Sequence, residues 1–185
     1  MNLTNAELQE LIELKKIQNS DDIRYKQIIK EKLLNNNKII YALHNTELEE
    51  MNAPNDEYFG INIKDYYIIP EIQSRPMNYL CYEVSFNDVS NYNKVIKIGQ
   101  VIFYICCEVN DIRDKYTGIA RHDLIASILT QDFNWSNCFG NQFRLVQDKA
   151  GVLDTNYCLR TLKFEGDVTN SLSNNPKVNK GVEFR

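Results

Sequence analysis

Few residues in this chain have types and spacing that could do chemistry, and the first set is Arg121-His122-Asp123. It is the one place where a histidine lies beside both an acid and a base. Adjacent side chains on a helix point about 100° apart, so these three cannot form a catalytic relay with one another. The sequence also has no Gly-x-Ser-x-Gly turn to place a nucleophile. We expect no catalysis by His122, and instead an ion pair of Arg121 or Asp123 on a helix surface or across a subunit boundary.

Carboxylates supply a second candidate, a nuclease set of the Asp…Glu-x-Lys type. The candidate residues are Asp65 and those within Leu162–Glu165, although their order along the chain matches this motif only loosely. The paired acids Asp21-Asp22 and Glu49-Glu50 are expected to be solvated. The sequence contains neither a Gly-x-x-x-x-Gly-Lys-Ser/Thr phosphate loop nor a Gly-x-Gly-x-x-Gly fingerprint. We therefore predict a protein that is not an enzyme, without catalytic residues and without a cofactor.

Cysteine and histidine usage argues against a metal site. Five cysteines in a chain without an export signal favour free, reduced thiols. No two of them form a Cys-x-x-Cys pair, and His44 and His122 have no ligand-like spacing. Cys106 and Cys107 point to opposite faces of a strand, so at least one is expected to act as a small core hydrophobe. The cysteines are Cys81, Cys106, Cys107, Cys138 and Cys158.

Charge and hydropathy limit the partners. A net charge of −4 lacks the excess of Lys and Arg that a duplex-DNA-binding protein presents. Residues 1–7 have no signal-peptide pattern, and no apolar run approaches the roughly 20 residues that cross a bilayer. We expect a location in a cytoplasm, or in a particle assembled there. A local basic face is conceivable, but a solvated helix face is the preferred interpretation of Lys26, Lys30, Lys32 and Lys38.

The elements that would position these residues form a continuous block, Lys94 to Phe164. Lys94–Val109 is the longest predicted strand, and its part Val101–Val109 is apolar on both faces, which is typical of the middle of a covered sheet. One of its covers could be a neighbouring subunit. A helix over Ile119–Gln131, expected to bury Ala120, Leu124, Ile128 and either Leu129 or Ile125, is followed by two strands. The fold class is therefore α+β, a small mainly antiparallel sheet flanked by helices. The later strands are Gln142–Gln147 and Tyr157–Phe164, joined through Gln147–Asn156.

In the first part of the chain, the residue pattern predicts two helices followed by less regular structure. Thr4–Glu7 has the form of a capping box and opens one helix, and Ser20-Asp-Asp opens a second, which is expected to pack on the core. The further expectations are a short strand at Lys38–Leu43, a loop at Glu47–Tyr58, a strand or extended run at Ile61–Ile69, a strand at Asn78–Phe86 and a bulge at Gly99. Trp135 either anchors its loop to the core, which is the preferred interpretation, or faces a partner.

These patterns divide the chain into three parts. Residues 1–37 form an N-terminal helical segment, residues 38–166 an α+β core, and residues 167–185 a flexible C-terminal tail rich in Ser, Asn and Lys. The two ends are extensions that we expect to supply contacts between subunits.

Four segments resemble a known family. Gly118–Leu124, Phe133–Asn137, Gln147–Gly151 and Asn156–Glu165 are similar to the tail terminator, or tail completion, proteins of tailed bacteriophages, which join heads to tails. The resemblance covers the middle and late part of the chain and fades before Tyr58 and after Gly166. It implies a small sheet flanked by helices and a ring, usually of six subunits, that caps the tail tube and meets the connector under the head.

The expected function is therefore structural. The resemblance implies a virion protein at the head–tail joint, a homohexameric ring whose partners are the tail tube protein and a connector or portal-proximal protein, with DNA only passing through its lumen. One alternative is a head-completion or connector adaptor beneath the portal. A second is a small enzyme, such as a nuclease, or a regulatory binding module.

Overall fold

The computed structural model describes residues 4–13, 21–68, 76–88 and 96–169. Helices predominate before residue 60 and strands after it. The helices are α1 (Asn5–Glu13), α2 (Asp21–Leu34), α3 (Asn37–Leu43), α4 (Thr46–Glu50) and α5 (Arg121–Phe133). The strands are β1 (Ile63–Lys64), β2 (Tyr79–Asp88), β3 (Ile96–Glu108), β4 (Arg144–Val152) and β5 (Tyr157–Thr169), and short 3-10 turns cover Asn55–Tyr58 and Val109–Asp111.

The five strands form one mixed sheet in the order β1-β2-β3-β5-β4. β1 runs parallel to β2, and the other three pairs are antiparallel. The predicted α+β class, with a mainly antiparallel sheet and N-terminal helices, is confirmed. β3 is the central strand, as its apolar character on both faces predicted. The bulge predicted at Gly99 is wrong, because Gly99 pairs in register with Phe86 and Gly166, and the register shift lies in β4 between Leu145 and Gln147.

The core lies between one face of the sheet and helices α2, α3 and α5. Phe103 of β3 is fully buried there and packs against the rings of Phe133 and Phe164 at centroid distances of 5.0 and 5.9 Å. A smaller cluster covers part of the opposite face, where Tyr67 lies 4.3 Å from the ring of Tyr104. The chain itself therefore covers both faces of β3 near its C-terminal end. The buried members of this second cluster are Tyr79, Cys81, Cys106 and Tyr157.

Several predicted elements are wrong in type or length. Lys38–Leu43 is a helix and not a strand, because the Asn36 side chain accepts a hydrogen bond from the Lys38 amide and caps α3. The predicted loop at Glu47–Tyr58 contains α4, capped by Asn45, and a 3-10 turn. Of Ile61–Ile69, only Ile63–Lys64 forms a strand among the residues described there.

The last helix and hairpin also differ from expectation. α5 begins at Arg121 and buries Ile125, Ala126, Ile128, Leu129 and Phe133, whereas Ala120 and Leu124 are only partly buried. β4 continues to Val152, so the turn is shorter than predicted. Predictions for residues 1–3, 14–20, 69–75, 89–95 and 170–185, which include most of the C-terminal tail, lie outside the described residues. No helix in the described ranges is both long and apolar enough to cross a membrane.

A buried polar network and candidate contact surfaces

Arg121 does not lie on the helix surface. Its side chain is 2% exposed, and its Nε donates to the Asp111 carbonyl at 3.0 Å and lies 3.3 Å from the Asp111 carboxylate. Its Nη1 lies 3.6 Å from Asp114 Oδ1. The predicted ion pair of Arg121 is therefore present but buried, because the first turn of α5 packs against the segment that follows β3. The guanidinium ties this segment to the helix.

Asp123 makes the surface ion pair that the sequence predicted. It pairs with Arg160 of β5, whose Nε and Nη2 also donate to the two carboxylate oxygens of Asp148 at 2.8 and 2.7 Å. This bidentate pair raises the pKa of Arg160 and lowers the pKa of Asp148. The cluster links α5, β5 and β4 on the helix-bearing face.

His122 is mostly buried between these groups. Its Nε2 lies 3.3 Å from Asp123 Oδ1, and its Nδ1 has no hydrogen-bond partner in the described part of the chain. Burial lowers the pKa of His122, opposed by the nearby Asp123 carboxylate and assisted by Arg160. Among the described residues, no hydroxyl or thiol is hydrogen-bonded to the Nδ1 atom of this imidazole.

His44 and Asp111 form a pair that sequence reasoning missed. His44 ends α3 in the left-handed conformation at φ 49°, and its Nδ1 lies 2.8 Å from Asp111 Oδ2. Asn78, which is 1% exposed, donates from Nδ2 to the same oxygen at 2.9 Å and accepts the Glu108 amide at Oδ1. A cavity of about 160 Å³ opens beside these groups.

The chemistry available to this pair is limited. A carboxylate that orients an imidazole is one half of a general-base arrangement. Within the described ranges, however, the His44 imidazole has no hydrogen bond except that to Asp111. The two residues lie 67 positions apart in the chain, so no local sequence pattern indicates that they form a pair. Its clear role is to join α3 to the segment that follows β3.

The proposed nuclease residues do not come together. Asp65 follows β1, whereas Lys163 and Glu165 lie on β5, three strand positions away, or roughly 14 Å at the usual strand spacing. Lys163 Nζ lies 2.8 Å from Glu165 Oε1, and Gln100 also donates to that oxygen at 2.8 Å. No group of three or more His, Cys, Asp or Glu in the described ranges is arranged to hold a metal ion.

The cysteines and lysines occupy structural positions. Cys81, Cys106 and Cys107 are buried, as expected for core hydrophobes, and burial raises the pKa of Cys81 to about 11 and that of Cys106 to about 12. All five cysteines are free. Among the lysines, Lys26 Nζ donates to the Asp65 carbonyl at 2.6 Å, and Lys30 Nζ lies 3.9 Å from the centre of the Phe59 ring.

The paired acids differ from one another. Glu49 and Glu50 are exposed, as predicted. Asp21 is buried, and its carboxylate lies 2.7 Å from Lys97 Nζ, so the expectation of a solvated acid is wrong for this residue. The ion pair joins α2 to the start of β3.

Trp135 faces solvent, and the core-anchored position predicted for it is wrong. The side chain is 62% exposed, and the residue has the left-handed φ of 58°. Its amide donates to the Phe143 carbonyl at 2.6 Å, and the Asn134 side chain accepts the Leu145 amide at 2.9 Å. The backbone is therefore held on both sides of the residue, and the indole points out of the core.

A set of exposed apolar side chains lies at the end of the sheet where β3 ends, and we call it the Tyr116 surface. Tyr116 is 90% exposed and lies 6.4 Å from the ring of Tyr41, whose hydroxyl donates to Asp114. Val152 ends β4 opposite Cys158, which itself pairs with Cys107 near the end of β3. The exposed members of this surface are Tyr41, Val109, Tyr116, Ile119 and Val152.

β4 forms one edge of the described sheet. It pairs with β5 on one side, and almost all of its side chains are exposed. An edge strand presents backbone N–H and C=O groups that can pair with another chain.

Comparison with known proteins places the chain in a family. A model of the YomW family matches residues 36–165, which are 130 of the 185 residues. No curated protein matches the chain. The matched region runs from the cap of α3 to the middle of β5 and so contains the whole sheet except the end of its last strand. The chain therefore belongs to the YomW family, a phage-associated family.

Proposed function

We propose that this protein is a structural component of a phage virion that acts at the head–tail joint, as a tail terminator. In this role it is not an enzyme. Identical subunits form a ring, expected to be a hexamer, that caps the tail tube and docks it to the connector under the head. Phage association of the family supports the setting. The four segments that resemble tail terminators, over residues 118–165, lie within the matched region.

The observation that carries the proposal is the Tyr116 surface. Five large apolar side chains are exposed at the same end of the sheet, and two of them, Tyr116 and Val152, are 90% and 73% exposed. Apolar side chains grouped on a surface are typical of protein contact sites, and tyrosine is enriched there. A ring protein needs such a surface on the side that meets the next ring along the tail axis.

The β4 edge supplies a lateral contact in this proposal. A strand of nine residues that pairs on only one side within the described part of the chain can accept backbone hydrogen bonds from a neighbouring subunit. Repetition of one heterologous contact closes a ring when its rotation divides the circle evenly. Weak individual contacts then suffice, because each subunit is held by two neighbours.

Electron microscopy of lysates from a phage lacking this gene tests the proposal. Filled heads beside separate tails, some of them abnormally long, are expected if the protein terminates tails. Tails of normal length beside leaking or unjoined heads would favour a connector adaptor beneath the portal instead. Normal infectious particles would contradict any role at the joint and would return attention to an enzymatic or regulatory function.

A further inference from the structure

We propose that the part of the Tyr116 surface formed by Tyr41, Tyr116 and Ile119 binds a partner protein whose contact surface is apolar at its centre and rimmed by carboxylates. In the proposed function this partner is the end of the tail tube, and that identity rests on the proposed function. The chemistry of the partner rests on the charges and contacts of the surface alone.

The acids of the loop between β3 and α5 are engaged within the chain. The loop carries two acids, Asp111 and Asp114, and two bases. Asp114 is 1% exposed and accepts hydrogen bonds from the hydroxyls of Tyr41 and Thr117 at 2.6 and 2.7 Å. The Asp111 carboxylate lies 3.3 Å from Arg121 Nε. Both negative charges are therefore compensated by groups on the inner side of the loop.

The two bases of the loop, in contrast, face solvent. Arg113 and Lys115 are exposed, and Arg113 Nη1 donates only to the Gly118 carbonyl, at 2.7 Å, among the described contacts. Lys38 is exposed one turn before Tyr41 on α3 and adds a third cation. In the described ranges none of these three cations has an ion pair. The exposed charge around the two tyrosines is therefore positive, although the loop as a whole is neutral.

Two carboxylates border the other part of the Tyr116 surface. Glu108 precedes Val109 and accepts a hydrogen bond from the Asn110 side chain at 3.2 Å. Asp154 lies in the turn after Val152 and accepts two backbone amides of that turn, at 2.7 and 2.8 Å. We therefore place the carboxylates of the partner opposite the loop between β3 and α5, and its apolar centre opposite Tyr116 and the two valines.

The loop presents Tyr116 on a well-bonded backbone. The Asp114 amide donates to the Ile119 carbonyl, and the Gly118 amide donates to the Asp114 carbonyl, both at 2.9 Å. Tyr116 lies between these bonds and is 90% exposed. A loop that is already ordered loses little conformational entropy on binding, and tyrosine is among the residues that most often dominate the energy of a protein contact. Tyr116 is therefore suited to anchor a partner.

The apolar members of the surface favour a protein over a nucleic acid. Ile119 and Val152 are 45% and 73% exposed, and they gain free energy only when they are buried against apolar groups. A site that holds nucleic acid by its phosphates usually presents a larger excess of Lys and Arg, whereas this chain has a net charge of −4. Three cations beside two tyrosines suit a few carboxylates on a protein surface, which they would attract and orient.

An NMR titration of the isotope-labelled full-length chain with two synthetic peptides tests this chemistry. One peptide combines glutamate, serine and single leucines, and its twin has lysine in place of each glutamate. The acidic peptide should shift the backbone amide signals of residues 113–119. Its dissociation constant should rise with salt concentration, because salt screens exposed charge pairs. The lysine peptide should leave these signals unchanged.

Two substitutions and a matched control locate the contact. Lys115→Glu should raise the dissociation constant of the acidic peptide about fivefold or more, since attraction becomes repulsion. Tyr116→Ala should also raise it, by a similar factor, because the apolar anchor is lost. The control Lys149→Glu makes the same charge change at an exposed lysine of β4, outside the Tyr116 surface, and should leave the dissociation constant unchanged.

Absence of shifts at residues 113–119 with the acidic peptide would overturn the proposal, and so would equal weakening by Lys115→Glu and Lys149→Glu. A short DNA duplex that shifts these signals more strongly than the acidic peptide would assign the surface to a nucleic acid and overturn the protein partner. Failure of the proposed function would look different, because a phage lacking the gene would then give normal particles while the acidic peptide still bound the surface.

Discussion

Arg121 makes the most constrained side-chain contacts in the polar network. It is buried beside Asp111 and Asp114, and its removal would leave buried carboxylate without a counter-charge. We expect Arg121→Met, which keeps much of the side-chain volume, to lower the free energy of unfolding by about 3 kcal/mol. Urea denaturation at neutral pH measures this change.

Arg113→Met is the matched control for that substitution. Arg113 is exposed and donates only to the Gly118 carbonyl among the described contacts, at 2.7 Å. The control should change the free energy of unfolding by less than about 0.5 kcal/mol. If the two substitutions lowered the free energy of unfolding by similar amounts, the buried ion pairs of Arg121 would contribute no more to stability than an exposed contact does.

Asp114 gives a pH-dependent prediction. The Tyr41 hydroxyl donates to its Oδ1 at 2.6 Å, and the Thr117 hydroxyl and amide donate to its Oδ2, which together hold the pKa of Asp114 well below its ordinary value. A depressed pKa stabilises the fold above the unfolded pKa of about 3.9, and this contribution is lost as the pH falls through the folded pKa. Tyr41→Phe should therefore unfold more easily at neutral pH, with a difference from wild type that shrinks below about pH 4.

Urea titrations across this pH range test that expectation, with Tyr116→Phe as the control. The Tyr116 hydroxyl has no hydrogen bond among the described contacts, and its ring lies beside that of Tyr41. The control should follow wild type at every pH. If the free energy of unfolding of Tyr41→Phe differed from that of wild type by the same amount at every pH, the assigned coupling between Tyr41 and Asp114 would be contradicted.

For single residues, the sequence indicated which side chains could be functional but not what surrounds them in the fold. His44 and Asp111 are brought together across 67 residues, and no local pattern encodes such a contact. Trp135 was expected in the core because indoles are usually buried, yet its left-handed backbone turns it outward. The burial of Arg121 depends on how α5 packs, which spacing along the helix does not determine.

At the scale of the elements, β5 approaches the segment before β4 very closely at Gly166. A Cβ built at Gly166 would lie 2.6 Å from the Gln142 carbonyl and 2.6 Å from Phe143 Cδ2. The backbone cannot give way as a flexible side chain would, so Gly166→Ala should lower the free energy of unfolding by about 2 kcal/mol. The midpoint of chemical denaturation reports this loss.

Gly151→Ala is the control within the same hairpin. A Cβ at Gly151 would meet nothing nearer than the Leu159 carbonyl at 4.0 Å, so this change should cost less than about 0.5 kcal/mol. Equal destabilisation by the two alanines would contradict the close approach at Gly166 and would point to a general loss of strand geometry.

An element was predicted well where its apolar residues follow a regular pattern and face the core. β2 and β3 were predicted because their alternating apolar residues face a core. α3 was mistaken for a strand, since a short apolar run fits either structure and the cap at Asn36 decides between them. β4 was predicted too short because an edge strand carries polar, exposed residues along most of its length.

For the whole molecule, the decisive question is whether the Tyr116 surface meets a partner. Val152 ends the edge strand on that surface and is 73% exposed, so Val152→Glu should leave the fold intact. In a contact it would place a charge against apolar groups. If the proposed function is right, the variant should bind tail tube ends at least about tenfold more weakly than wild type, equivalent to roughly 1.4 kcal/mol.

Met51→Glu is the control that makes this experiment decisive. Met51 ends α4 and is 67% exposed, so it offers the same change of charge at a similar exposure outside the Tyr116 surface. Both variants should unfold at the same urea concentration as wild type, while only Val152→Glu should fail to restore infectious particles to a phage lacking the gene. Restoration by both variants would exclude the Tyr116 surface from assembly, because a glutamate buried in an axial contact cannot be silent. If neither variant restored infectious particles, the added negative charge would prevent assembly regardless of its position.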